Sequence, residues 1–548
     1  PSAGASNSFV VDGRLSASGK PLLANDPHLG LQAPIQWYLV RIETPTLRLV
    51  GATAPGVPLL IIGHNGHVAW SFTTTQADTQ DLFREQTIAG DDAHYVTPQG
   101  PAAFEAHEET IKVRGTDDVR LTARQTRHGP VVSDLPSVKW EDKTQALALS
   151  WAALRTDDMT AVALFRMNRA QNADELMTAL ADFDSPVQNV LYADTSGHIG
   201  FIAAGRVPMR KSVYAAGEMP APGWMDAYDW AGFIPFASLP QIAQPSTGWI
   251  ATANNDIRPV DYFRFIAAKW DLPYRYNRIA ELIEATPKHT PDSLAAIQLD
   301  TRSEAAAEVV PALLAQLEGG PPLSEPAATA LTLLKNWNFQ VTRDQPAPLI
   351  ATAWLAELND RVLRAKLGDL FEDYAQRNFI TVTSLIAGAD PSWCADAQAP
   401  RPCAALVRDA FIAAVDKLAR AYGGDPNRWQ WGDAHRARFT NLVLNQVPLL
   451  SLLLPAPIAT DGDNFTVNRA TPRTDFDSVD YSDVHGAGLR AIFDLADLDR
   501  SRFIIAGGQS GNPLSEHYGD LVERWRDGRY IELRGDGTEV LTLAPETR

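Results

Sequence analysis

Between residues 1 and 260 the apolar positions fall in short β-prone runs, each closed by Gly, Pro, Asn or Asp. Examples are SFVV, LRLVGA, PLLIIG, HVAWSFT, TIKVRG, ALALSW, NVLYAD and HIGFIA. Runs of this length, with turn residues at this density, predict a large and mostly antiparallel sheet system. From about 290 to 425 the period changes. Apolar residues, mostly Ala and Leu, recur every three or four positions in SEAAAEVVPALLAQL, AATALTLLKNW, ATAWLAELNDRVLRAKL and AALVRDAFIAAVDKLARAY. That spacing predicts helices. After 460, strand-like segments return in GLRAIFDL, SRFIIAGG and YIELRG. Strands at both ends, with no Gly/Ser-rich linker between, predict one α+β domain carrying a largely helical insertion at about 290–425.

Composition narrows the partners. The formal charge is −18, from 48 basic and 66 acidic residues, with no basic stripe. Phosphate binding needs clustered Lys and Arg, so nucleic acid is not an expected partner. The longest apolar run, LVLNQVPLLSLLLPAPIA at 442–459, holds Asn445, Gln446 and three prolines. It falls short of the roughly 20 clean apolar residues of a membrane span and reads instead as a buried or pocket-lining segment. Cys394 and Cys403 are the only cysteines. They would close a short Pro-rich loop in an oxidising compartment, or stand as two unrelated thiols; their spacing alone leaves both readings open.

Chemistry is sparse along the chain. GGQSGN at 507–512 nearly makes a nucleophile elbow around Ser510, but Asn512 stands where the last Gly belongs, and only His517 lies downstream. An α/β-hydrolase-type esterase using Ser510 is therefore a rival reading. HEET at 107–110 lacks the second histidine of a zinc helix, and no phosphate-cradling Gly loop is followed by Lys and Ser or Thr. Ser6, in GASNSFVVDG, has no histidine or carboxylate beside it in sequence. It needs none if the Ala5–Ser6 bond is cut. The new α-amine has an ordinary pKa of roughly 7.7–8.0 and supplies the base itself. A strand from Ser6, a turn, and a second strand ending at NDPHL would bring His28 back near Ser6.

Seven motifs in order along the chain then carry a resemblance: SNS, GKPLLANDPHL, GHNGHVAW, YADTSGHIGFIAAGRVP, ANNDIRP, YRYNRI and GGQSGNPLSEHYGDLVERW. Together they resemble the β-chain of the penicillin acylase family of N-terminal-nucleophile hydrolases. That family includes penicillin G acylases, cephalosporin acylases and acyl-homoserine-lactone acylases. The resemblance implies an αββα sandwich of antiparallel sheets, cut from a precursor that also supplies an α-chain as partner. It implies a periplasmic or secreted amidohydrolase acting on N-acyl-homoserine lactones, on β-lactams such as penicillins, or on both. A catalytically silent periplasmic binding protein of the same fold is the rival from another class.

Residue by residue, the resemblance puts Ser6 at the nucleophile and His28 at a position that orients it. Asn254 would give its side-chain amide, and Thr74 its backbone N–H, to an oxyanion hole. Arg278, in YRYNRI, matches an arginine that orders the site around the amine and Asn254. Leu29, Ile62 and Phe72 match an acyl pocket; the first two stand where penicillin G acylases have phenylalanine, and Phe72 replaces a serine. Asp78 and Asp81 match a calcium-binding turn of some members, which would need further ligands. No cofactor is implied for the chemistry itself. The chain departs from a mature family member in one respect: residues 1–5, PSAGA, precede the serine and read as residual linker or propeptide ahead of a β-chain spanning 6–548.

Overall fold

The architecture comes from a computed structural model that describes residues 5–212, 217–371, 374, 384, 391–394, 402–473 and 476–537. Residues 1–4 of the expected linker lie outside the described residues.

Two antiparallel sheets stack face to face. The first contains β1 (Ala5–Val11) and β2 (Leu22–Gly30), with Trp249–Thr252, Asp483–Ala487, Leu489–Asp494 and Arg502–Ile505. The second contains β3 (Tyr38–Thr44), β4 (Leu47–Thr53), β5 (Ile62–His64) and β6 (Val68–Thr74), with Gln188–Asp194 and Ile199–Ala204. Helices α1 (Thr160–Met167) and α2 (Ala173–Leu180) cover the outer side of the second sheet. Helices α3 (Tyr274–Glu284) and α4 (Pro291–Gln298) cover the outer side of the first. The order of layers is helix, sheet, sheet, helix, and the fold is α+β as expected.

Strand alternation decides what each layer sees. In β1, Ser6, Ser8 and Val10 face the second sheet; the Ser8 hydroxyl lies 2.7 Å from that of Ser71 on β6. Thr73 reaches across in the same way to Thr252, 2.9 Å between hydroxyls. The opposite face of β1 presents Phe9 and Val11, which pack with Leu22, Ala24, Ile279, Ile283 and Ile297 beneath α3 and α4. A one-residue slip of register would exchange the two faces, and burial of both holds it in place.

The helical stretch expected over about 290–425 divides in two. Helix α4 belongs to the sandwich, and its Gln298 reaches the first sheet. Helices α5 (Glu304–Ala315), α6 (Glu325–Lys335) and α7 (Ala347–Leu367), with the helix Cys403–Tyr422, build a second core around Leu334, Trp354, Phe411 and Trp431. Cys394 and Cys403 are bridged at its edge, with Cα atoms 5.0 Å apart.

The segment 442–459 corrects its reading. It is tied to the body by Thr440 and Asn441, which bond Leu31 and Ala33, but Leu442, Leu449 and Leu452 are 89, 77 and 79% exposed. Two short 3-10 turns broken by Pro448 cannot present a continuous apolar face inward, so Leu442, Leu449 and Leu452 point out while Leu454 packs against the main core. Among the described residues no helix is long and apolar enough to cross a membrane.

Candidate active site

Ser6 sits in the middle of its sheet, with β2 on one side and Trp249–Thr252 beginning beside Ser8 on the other. It is buried, and its hydroxyl oxygen lies 2.5 Å from the Ala5 carbonyl oxygen. Its N–H donates to Asn254 Oδ1 at 2.7 Å. Asn254 stands two residues beyond the strand that pairs with β1, and it adopts φ 65°, a left-handed conformation that Asn tolerates better than most residues. That turn aims its side chain back across the strand ends. Asn254 Nδ2 donates to the Thr74 carbonyl at 2.8 Å, so one side-chain amide joins the tip of β6 to the start of β1.

Arg275, in the first turn of α3, ties the group together from behind. Its guanidinium donates to the Ser6 carbonyl at 3.0 Å, to Asn7 Oδ1 at 2.7 Å, to the Ala253 carbonyl at 2.8 Å and to Asn254 Oδ1 at 3.0 Å. Asp271 supplies the counter-charge at 2.8 Å. Burial pulls the arginine's pKa below its ordinary value, opposed by Asp271 and Asp26. This corrects the assignment of Arg278. Three residues along a helix is a rise of about 4.5 Å, and that displacement carries Arg278 to Asp300 and Glu281, each contacted at 2.9 Å. YRYNRI holds two arginines, and only the start of the helix distinguishes them.

His28 is beside the nucleophile in register but on the other face. It pairs with Ala5, while Ser6 pairs with Pro27. Its side chain lies on the helix-covered face with Asp26 and Asn7. His28 Nε2 is 2.7 Å from Asp26 Oδ2, and Asp26 also accepts from Asn7 at 2.8 Å and from Gln298 at 3.1 Å. Burial, then the positive field of Arg275 and Arg469, holds the imidazole pKa well below its ordinary value, so the ring is neutral. Burial raises the Asp26 carboxyl to about 7, against the opposing pull of Arg490, Gln298 and Asn7. Nδ1 of His28 is buried without a hydrogen-bond partner. Asn7, Asp26, Arg275 and Gln298 were not singled out by sequence reasoning, although Asn7 follows Ser6 and Asp26 stands within NDPHL.

The same alternation sorts the acyl-pocket residues. Leu29, two residues beyond Pro27, projects toward the second sheet, on the face that carries Ser6. Ile62 shares a face with His64, which meets Phe493 of the first sheet edge-on, so it too faces the interior. Phe72 alternates with Ser71 and Thr73 and turns the other way, its ring 5.7 Å from that of Phe183 beyond α2.

Asp78 and Asp81 share Arg210. Its guanidinium grips both oxygens of Asp81, at 2.9 and 3.0 Å, and donates to the Asp78 carbonyl at 3.1 Å. Trp230 Nε1 adds a further hydrogen bond to Asp81. Burial pushes the Asp78 carboxyl up to about 6, with Arg210 opposing. Calcium takes six to eight oxygen ligands. Among the described residues no three acidic, His or Cys groups converge to hold an ion. As arranged, the pair does not fit calcium without expulsion of the arginine.

Ser510 is a turn residue. Its hydroxyl accepts the Asn512 N–H at 3.1 Å, while His517 Nδ1 lies 3.0 Å from Asp520 on the surface. The strand before it, Arg502–Ile505, sits in an antiparallel sheet and no helix begins at Ser510. Neither the elbow nor its parallel sheet is present around this serine.

A buried serine at a strand start, its nitrogen held by a side-chain amide and its carbonyl by an arginine, sits in a two-sheet sandwich. A sequence model of the penicillin amidase family matches residues 2–542. The chain belongs to the penicillin amidase family. It is 29% identical over 574 residues to an acyl-homoserine lactone acylase, QuiP, of Pseudomonas fluorescens (strain Pf0-1), covering 98% of this chain and 68% of that one. It is 30% identical over 538 residues to the penicillin acylase 2 proenzyme of Pseudomonas sp. (strain SE83), covering 97% and 67%. Its fold matches the thermostable penicillin G acylase from Alcaligenes faecalis with a TM-score of 0.72 at 19% identity, over 99% of this chain and 100% of that one. As a penicillin amidase family member the chain is an amide hydrolase.

Proposed function

We propose that Ser6 is the nucleophile of an N-terminal serine amidohydrolase, freed by self-cleavage, that deacylates N-acyl-homoserine lactones and accepts some penicillins. The observation that carries this reading is the Ser6 nitrogen, held by Asn254 Oδ1 within a buried cluster that Arg275 closes. Maturation starts with the Ser6 hydroxyl, already against the Ala5 carbonyl. The Oγ–C bond forms, the C–N bond breaks and the proton passes to the Ser6 nitrogen. Water then hydrolyses the ester, leaving a carboxylate on Ala5 and an α-amine on Ser6.

In the mature enzyme the amine takes the hydroxyl proton as Ser6 attacks the substrate amide, and returns it to the leaving amine. Arg275 keeps the amine neutral, because a nearby cation disfavours protonation. Asn254 Oδ1 is fixed by Arg275, which leaves its amide nitrogen to donate to the tetrahedral oxyanion together with the Thr74 N–H. Water finally hydrolyses acyl-Ser6. No step calls for a cofactor.

The names of the relatives support the substrate class, and the aliphatic Leu29 and Ile62 support medium to long acyl chains. The Cys394–Cys403 bridge supports a periplasmic or secreted site of action. An α-chain from the same precursor is the proposed partner, and the bare leucines of 442–452 offer it an apolar surface.

Two measurements test the reading. Intact-mass analysis of Ser6→Ala should show an uncut Ala5–Ser6 bond, and a variant that still splits there defeats the mechanism. With the mature enzyme, kcat/KM across a series of acyl-homoserine lactones should rise about fourfold per added methylene until the pocket floor is reached. A profile flat in chain length, or hydrolysis confined to penicillin G, would replace the substrate assignment.

A further inference from the structure

The turn that leaves β6 at Thr74 is anchored at a largely buried knot of charged side chains. Asp78 enters it through a backbone bond, its N–H donating to the Ile266 carbonyl at 2.8 Å. Asp81 is the second residue of the next strand, Gln80–Ile88. Between them stands Arg210, from the short strand Pro208–Arg210, with a side chain only 4% exposed. Two neighbouring aromatic residues close on it, while its Nη1 is buried without a hydrogen-bond partner among the described residues. Trp230, paired with Arg210 across the neighbouring strand, donates to Asp81. The Phe265 ring lies 5.3 Å from the guanidinium carbon. On the far side of Asp78, the backbone of Gly217 packs so closely that a Cβ there would lie 2.3 Å from the carboxylate.

We infer that Arg210 is a built-in cation that takes the place of a metal ion between Asp78 and Asp81, so that this protein fixes the turn after Thr74 without calcium. The geometry is that of a guanidinium fork. Two nitrogens meet two oxygens of one carboxylate in parallel, while the same Nη2 holds the Asp78 carbonyl and stands 3.4 Å from its carboxylate. An arginine cannot be removed by chelation, and it is never deprotonated at working pH. A covalently tethered charge also costs no ion-binding equilibrium: the turn is as well held in a metal-poor medium as in a metal-rich one. Removing one partner of such a buried pair leaves the others uncompensated, which is the costly case for buried charges. Arg210 is a positioning residue by this account, acting on Thr74 through the four residues that follow it.

The test uses metal binding and thermal melting of the purified, mature enzyme and does not depend on which substrate it hydrolyses. After EDTA treatment, calorimetric titration with calcium chloride should show no saturable binding, and Tm should agree within about 1 °C between EDTA and millimolar calcium. Saturable one-to-one binding, or a Tm that climbs with calcium, overturns the inference. Arg210→Met should lower Tm by about 3 °C or more. Combining it with Asp78→Asn and Asp81→Asn should recover most of that loss, because the acids no longer need a counter-charge. A single variant as stable as the parent, or a triple variant no better than the single one, also overturns it. If Arg210→Met does not fold, the calcium and EDTA comparison on the parent enzyme still decides.

Discussion

At Asn254 one side-chain amide performs two tasks from its two ends: the oxygen receives Ser6 N–H and Arg275, and the nitrogen faces Thr74 and the reacting space. Asn254→Ala removes the oxyanion donor and the amine's partner together, and should cut kcat by about 10²–10³-fold, as loss of one such donor does elsewhere. Near-normal turnover by a folded variant would take Asn254 out of the site. The two arginines of α3 give a sharper contrast. Arg275→Lys keeps the charge but loses the fork that spans Ser6, Asn7 and Asn254, and should cost roughly 10–100-fold in kcat/KM. Arg278→Lys touches only Asp300 and Glu281 and should change it by less than about threefold. Equal effects at both positions would contradict the placement. The proposed roles of Ser6 and Asn254 were legible through the family resemblance that SNS and ANNDIRP help to carry. The choice between Arg275 and Arg278 was not, because it depends on where the helix begins and how far each position rises along its axis.

Strands speak at the next scale through their parity. Ser6, Leu29 and Ile62 look into the space between the sheets; His28 and Asp26 look into the helix layer; Phe72 looks outward onto Phe183. Leu29→Phe should therefore fill acyl depth and lower kcat/KM for the longest homoserine-lactone chains relative to short ones by at least one methylene step, about fourfold. Phe72→Leu, on the other face, should leave that length profile unchanged and show instead as a loss of about 1 kcal/mol of stability, the ordinary result of trimming a buried aromatic to a smaller apolar side chain. Chain-length profiles for both variants, with melting curves, check the pair. If Phe72→Leu shifts the profile as strongly as Leu29→Phe, the assignment of faces is wrong.

For the whole molecule, the cost of holding charge inside the sandwich sets the pH response. Asp483 is buried, accepts from Thr460 at 3.2 Å and from the His485 N–H at 3.3 Å, and burial raises its carboxyl to about 7. In the unfolded chain it would ionise near 4. Below that pH it is neutral in both states and its contribution is fully present. As pH rises from about 4 to 7 the unfolded chain gives up the proton and the native protein keeps it, so stability falls; above about 7 both are ionised and the contribution is lost. Asp483→Asn should flatten this part of the stability–pH curve by about 1–4 kcal/mol between its ends. Chemical unfolding at pH 5 and pH 8 measures it, and an unchanged slope would mean that Asp483 is not the titrating group. Asp26 works in the same direction from inside the site, which is why Asp483 is the cleaner substitution.

The sequence by itself determined the α+β class and most of the layout of elements, and it pointed to Ser6 as the proposed nucleophile. Short alternating runs argue half-buried strands, and apolar residues at three- and four-residue spacing argue a buried helical face. It also held the motifs that place the chain in its family. The tertiary structure alone decided which face each strand presents, and so parted His28 from Ser6 and Phe72 from Leu29 and Ile62. It decided that α3 starts one residue before Arg275, that the leucines of 442–452 stay outside, that Cys394 and Cys403 join, and that Arg210 comes from 129 residues away to sit on Asp81. The physical reason is the same in each case. Local patterns fix the period of an element, but its register, its starting residue and the charge that meets it are set by the free energy of burying groups that are remote in sequence.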